Sequence, residues 1–133
     1  MDYKPHGYTS VAPYLIVEGA RATIEFLVRV FDAEPLRQYA RDDGKLAHGE
    51  IRIGDTVVML RDPTDGPPVI RSHTHVYVPD VYATYARAIA AGAQPVQAPV
   101  QKGDDDRRGG FRDTGGTTWW IATQVGSQTG ASR

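Results

Sequence analysis

The stretch LAHGEIRIGDTVVMLR, residues 46 to 61, carries the pattern on which the fold is read. From Leu46 to Ile53 it alternates, with His48, Glu50 and Arg52 on one face and Ile51 and Ile53 on the other, as a half-buried strand does. Gly54 and Asp55 form a tight turn into a second strand, Thr56 to Arg61. That hairpin sets Glu50 opposite Met59 and brings His48 near Arg61. Upstream, the turn Asp42, Asp43, Gly44 follows a strand over Leu36 to Ala40, and Pro35 bars the preceding helix from continuing. That helix spans Gly19 to Phe31, with apolar residues spaced helically at Ala20, Ile24, Leu27 and Phe31. Before it stands VAPYLIV, Val11 to Val17, a β-rich apolar run. The order is strand, helix, then three strands.

Downstream the order repeats. DPTDGPP, residues 62 to 68, is dense in turn formers and reads as a surface linker. Beyond it come a strand His73 to Val78, an Asp80 cap, a helix Val81 to Ala91, Gly92 as its stop, and a strand around Pro95 to Val100. A polar, glycine-rich loop follows, then strands Gly110 to Asp113 and Thr117 to Gln124 joined by Thr114, Gly115 and Gly116. The helix ends match as well: FDAEP at 31 to 35 stands about 60 positions before AGAQP at 91 to 95. The chain therefore reads as one α+β domain of two βαβββ modules: module 1 over about 8–62, a linker 63–70, module 2 over about 71–125 and a tail 126–133. A half of about 60 residues is marginal alone, so neither module is expected to fold by itself.

With 41% apolar and 23% charged residues, a packed core is expected. The net charge of −1 argues against nucleic acid as a partner, since Arg107, Arg108 and Arg112 are offset by Asp104, Asp105, Asp106 and Asp113. No apolar run reaches the roughly 20 residues that span a bilayer, and the start MDYKPHGYTS lacks a signal peptide's apolar stretch, so a cytoplasmic protein without membrane partners is expected. The absence of cysteine removes disulfides, thiolate nucleophiles and Cys-based zinc sites. No glycine-rich phosphate loop joins a strand to a helix, and no serine sits in a nucleophile elbow. The acidic run Asp104 to Asp106 lacks the spacing of a calcium loop and reads as solvated.

The runs GYTSVAPYLIVEGARATIEFLVRVFDAEP, GKLAHGEIRIGDTVVMLRDP, VYVPDVYATYARAIAAGAQPV and FRDTGGTTWWIAT together resemble the glyoxalase and bleomycin-resistance branch of the vicinal oxygen chelate superfamily, with its small two-module PhnB-like members. The resemblance runs from about Tyr8 to Thr123. It implies a cupped mixed sheet around a small-molecule pocket, and a homodimer. It also implies a divalent metal held by the first and last strand of each module, which here places Ala12, Met59, His73 and Trp120 at the ligand positions. Only one of the four carries a suitable donor, so neither metal nor cofactor is expected. The family's DPFGH turn reads Asp113, Thr114, Gly115, Gly116, Thr117.

Alternation from those four positions sets the lining of the cup. Ala12 brings Tyr14 and Ile16; Met59 brings Val57 and Arg61, with Glu50 and His48 across the hairpin. His73 brings His75 and Tyr77, and Trp120 brings Thr118, Ala122 and Gln124, leaving Trp119 and Ile121 toward the helices. The expected ligand-binding set is Tyr14, His48, Glu50, Met59, Arg61, His73, His75, Tyr77 and Trp120, with no catalytic residue. Each has a plainer reading. Trp120 fills core equally well, His73 and His75 form local hydrogen bonds more often than a metal site, and Glu50 is expected to form an ion pair with Arg52 and Arg61. The expected function is metal-independent binding of an aromatic or glycopeptide-like antibiotic, giving resistance by sequestration. The alternative is a lyase, isomerase or dioxygenase of the glyoxalase type, using His73, His75, Glu50 or His48 around a relocated metal or as acid and base. A structural module binding a protein through a sheet edge is the third.

Overall fold

The computed structural model describes residues 2–66, 69–101 and 105–126. The expected linker residues 67 and 68, Asp104 and the tail 127–133 lie outside them. The chain divides into two units, Met1–Arg71 and Ser72–Arg133.

Unit 1 contains β1 (Tyr14–Ile16), α1 (Ala20–Phe31), β2 (Glu34–Ala40), β3 (Leu46–Ile53) and β4 (Thr56–Arg61), in the sheet order β1-β4-β3-β2. β1 pairs parallel with β4, and the remaining pairs are antiparallel. The hairpin has the expected register, Glu50 opposite Met59 and Ile51 opposite Val58. One face of α1 (Ala20, Thr23, Ile24, Leu27, Val30) is buried with Leu15, Ile51, Val58 and Leu60 of the strands. Gly49 permits the close approach: a Cβ there would stand 3.1 Å from Ile24 Cδ1 and 2.5 Å from Leu46 Cδ2. The first strand is shorter than the Val11–Val17 expected, because residues 11 to 13 run outside the ladder; only the Pro13 carbonyl reaches it, accepting from Met59 N at 2.9 Å.

No side chain of α1's own N-terminus caps it, for Gly19 stands there with φ 74°. The cap comes from the end of β4 instead. The buried Asp62 carboxylate accepts from the Gly19, Ala20 and Leu46 amides at 2.9, 3.1 and 2.8 Å, tying the helix start to β3.

Unit 2 repeats the plan with β5 (His73–Tyr77), α2 (Val81–Ala90), β6 (Gln94–Gln101), β7 (Asp106–Arg112) and β8 (Thr118–Gln124), ordered β5-β8-β7-β6. Asp80 caps α2 as expected, accepting from Tyr82 N and Ala83 N. Trp119, Phe111, Ile121, Val81 and Ala88 are buried, and Trp119 and Ile121 take the opposite face from Trp120. Two sequence expectations are corrected here. β7 begins at Asp106, not Gly110, because the arginines and glycines read as a loop pair with β8 from Asp106↔Gln124 onward. Asp106 accordingly is not part of a solvated run: it is buried and accepts from the Tyr77 hydroxyl at 2.7 Å and from Arg108 at 3.1 Å.

Candidate functional site

In unit 1 the face of β3 turned from α1 bears a chain of hydrogen bonds. Glu50 is only 2% exposed, and its carboxylate bonds the Tyr8 hydroxyl at 2.5 Å and His48 Nε2 at 2.8 Å. His48 Nδ1 lies 3.3 Å from the Tyr14 hydroxyl. Burial opposes ionisation of Glu50, but the hydrogen bonds from Tyr8 and His48 outweigh it and hold the carboxyl below its ordinary value. An ionised carboxylate only accepts, so His48 Nε2 carries the proton and, in the neutral ring, Nδ1 accepts from Tyr14. The same bond to Glu50 pushes the Tyr8 phenol up, with burial adding to it. Tyr39 stacks on His48 with centroids 6.2 Å apart, and the Arg37 guanidinium lies 5.1 Å over the Tyr8 ring. Tyr14 and Tyr39 are about half exposed.

Met59 stands in register with both Tyr14 and Glu50, and is partly exposed. Arg61 pairs with Ile16 and donates to the Asp62 carbonyl at 3.2 Å. The expected ion pair of Glu50 with Arg52 and Arg61 does not form. Arg52 turns instead to Glu34, at 2.7 Å, and to the Gly7 carbonyl, because β2 presents Glu34 directly opposite it and the N-terminal arm crosses the face. That arm is what the sequence reading missed: it brings Tyr8 onto Glu50 and bonds Val57 through Thr9, leaving Val57 buried where an open lining was expected. No periodicity in residues 1 to 10 signals it.

In unit 2 the corresponding face carries His73, His75, Tyr77 and Trp120. Trp120 donates its indole N–H to His73 Nδ1 at 3.1 Å, and the two rings are nearly parallel, 9° apart. His73, receiving at Nδ1, holds its own proton on Nε2 when neutral. The indole is spread across Gly110 on β7, where a Cβ would come within 2.7 Å of the ring. His75 meets Tyr77 edge-on at 4.9 Å, and burial, then the nearby Arg108, lowers its pKa. Tyr77, 65% exposed, borders an open depression of about 650 Å³ with Val78, Pro79, Asp106 and Gln124.

A model of the glyoxalase/bleomycin resistance protein/dioxygenase superfamily matches residues 8–121. The chain belongs to that superfamily. An uncharacterized protein of Mycobacterium bovis is 35% identical over 130 residues, covering 87% of this chain and 84% of that relative. Among solved structures, TioX from Micromonospora sp. ML1 superposes with a TM-score of 0.74 at 24% identity, covering 88% of this chain and 99% of its own. A glyoxalase-related enzyme from Fulvimarina pelagi gives 0.70 at 19% identity, with 87% and 88% covered. The fosfomycin resistance protein FosX of Listeria monocytogenes, as a point mutant complexed with Mn(II) and 1S,2S-dihydroxypropylphosphonic acid, gives 0.68 at 16% identity, with 100% and 98% covered. At these identities the structural likeness is one of fold.

A divalent metal of the superfamily's kind does not fit the residues at its positions. Unit 1 offers Ala12, which precedes β1, and the thioether of Met59; unit 2 offers Trp120 and a His73 whose Nδ1 already receives the indole N–H. Among the described residues no three His, Asp or Glu side chains gather as a metal cluster. No helix among them is long and apolar enough to cross a membrane.

Proposed function

We propose that this protein binds a small, flat aromatic natural product of the antibiotic kind without a metal, and protects by sequestering it. The observation that carries the reading is the platform of unit 2. A partly exposed Trp120 indole is held flat by its N–H bond to His73 and by the missing Cβ at Gly110. A preorganised aromatic surface of this kind stacks on a planar ligand with little ordering cost. His75 and Tyr77 continue it, and Tyr14, His48, Met59 and Arg61 beside the buried Glu50 give unit 1 a polar aromatic face of its own. The kinship to TioX and FosX supports the fold on which such binding would be built. Sequestration needs affinity only, so the protein would act mole for mole as a dimer in the cytoplasm, on a ligand and not on nucleic acid or membrane.

Titration calorimetry of the chelator-treated protein with a panel of aromatic and glycopeptide antibiotics tests the reading. One ligand should bind with unchanged affinity after manganese or zinc is added, and Trp120→Leu should weaken it by roughly tenfold, about one stacking contact. Binding that requires metal, or that ignores Trp120, refutes it.

A second reading is supported by the Tyr14–His48–Glu50 chain, which is built as an acid–base relay: a buried carboxylate orients the imidazole, and the imidazole accepts from a half-exposed phenol. A ligand recovered unchanged after long incubation favours sequestration. Chemical conversion that disappears in His48→Ala favours the enzyme.

A further inference from the structure

Arg112, at the end of β7, lies on the same sheet face as the Trp120 platform. The register fixes this: Gln94, Arg112, Thr118 and His73 form one row across four strands, and Gly110, Trp120 and His75 form the next. The indole of Trp120 spans the two rows, with its six-membered ring over Gly110 and its N–H on His73. Arg112, two residues from Gly110, therefore borders the platform on the side opposite His73, about two interstrand spacings or roughly 10 Å away.

No hydrogen bond or ion pair holds the Arg112 guanidinium among the described residues, and its Nε is buried without a partner. A donor closed off from solvent without an acceptor is costly. The carboxylates nearby are committed elsewhere. Asp113 is on the alternate face, taken by Trp119 Nε1 at 2.8 Å and Thr117 N at 3.1 Å. Asp106, on the platform's face, is six residues away along β7 and holds Tyr77 and Arg108. Arg112 is part-buried, with its Nε closed off and unpaired, so beside an aromatic platform it is a receptor for an anion that arrives with the ligand. At the other edge, the Nε2–H of neutral His73 offers a further donor.

We infer that the ligand of the Trp120 platform is an anionic planar aromatic, carrying a carboxylate or a group of like charge that Arg112 receives. The inference rests on the binding reading above and adds the ligand's charge. Arg112 gives orientation and charge selection; Trp120 gives the stacking area.

The test compares 2-naphthoic acid with 2-naphthalenemethanol, probes alike in ring and unlike in charge, by quenching of tryptophan fluorescence in the full chain. Wild type should bind the acid about tenfold or more tightly than the alcohol, and rising salt should weaken the acid alone. Arg112→Gln should bring the two affinities together and remove the salt dependence, and Arg112→Lys should restore part of the preference. Circular dichroism shows whether each variant is folded. Should Arg112→Gln not fold, the wild-type ratio and its salt response decide. Equal binding of acid and alcohol by wild type, or a preference that survives Arg112→Gln, overturns the anion assignment while stacking stands. If neither probe quenches, or Trp120→Leu binds both as wild type does, the platform reading fails and takes this one with it.

Discussion

Asp62, Asp80 and Asp113 each accept from backbone amides where a helix or a turn begins. Asp62 is the plainest case, since one carboxylate satisfies three backbone N–H groups from α1 and β3. Asp62→Ala leaves those amides buried and unpaired, and should lower stability by about 3 kcal/mol in urea denaturation, as befits several charge-assisted bonds that are not fully additive. A loss below about 1 kcal/mol would mean that water replaces the carboxylate. Asp62 looked like the first residue of a linker, because a terminal Asp followed by Pro carries no sign of the helix it caps 42 positions earlier. Glu50 was legible as a polar residue on an alternating strand, but its partners were not. Arg52 and Arg61 were expected to pair with it, whereas Tyr8 and His48 hold it. Pairing of a buried charge is decided by which donor the backbone delivers, and alternation gives only the face.

At the scale of elements, the sequence was most informative where pattern and turn chemistry agreed. β3 and β4 have the bounds and the hairpin register that alternation and the Gly54–Asp55 turn predict, and the repeated FDAEP and AGAQP mark equivalent helix ends. In that repeat Asp32 and Gly92 occupy the same place, and both are left-handed, with φ 55° and 101°. Asp32 is the one non-glycine described residue with positive φ. Glycine already serves at the second position, so Asp32→Gly should raise the thermal midpoint, by the equivalent of about 0.5–1 kcal/mol once glycine's greater unfolded freedom is deducted. A lower midpoint would show that the aspartate side chain contributes more than its backbone strain costs. β7 was partly misread for the opposite reason: Asp106, Arg107, Arg108, Gly109 and Gly110 carry no β propensity, and their pairing with β8 comes from tertiary context. Gly110 in that strand serves Trp120. Gly110→Ala should therefore shift and broaden the tryptophan emission, because the ring must leave a contact of 2.7 Å, and should weaken any stacked ligand with it.

Over the molecule as a whole, the buried acids respond to pH in opposite senses. Asp62 and Glu50 have folded values held below the ordinary carboxylate range, so the unfolded chain binds their protons first as pH falls. Their contribution is complete above about pH 4–5 and is lost as pH drops through the depressed folded values. Asp113 runs the other way. Burial raises its pKa over the lowering effect of Trp119 and the turn amides, so the folded chain takes up that proton first, and acidification toward about pH 4 relieves a cost present at neutral pH. His75, lowered by burial and by Arg108, adds a gradual loss as pH falls below about 6.5. The wild-type curve is the sum of these limbs, and Asp113→Asn separates them. An amide cannot ionise, so the compensating limb disappears. Urea midpoints measured from about pH 7 to about pH 3 should fall more steeply for Asp113→Asn than for wild type between the raised Asp113 value and about pH 4, and run parallel below it. Parallel curves throughout that upper interval would place the Asp113 proton in the same state in both forms of the chain, and its carboxylate would then be ionised beneath Trp119.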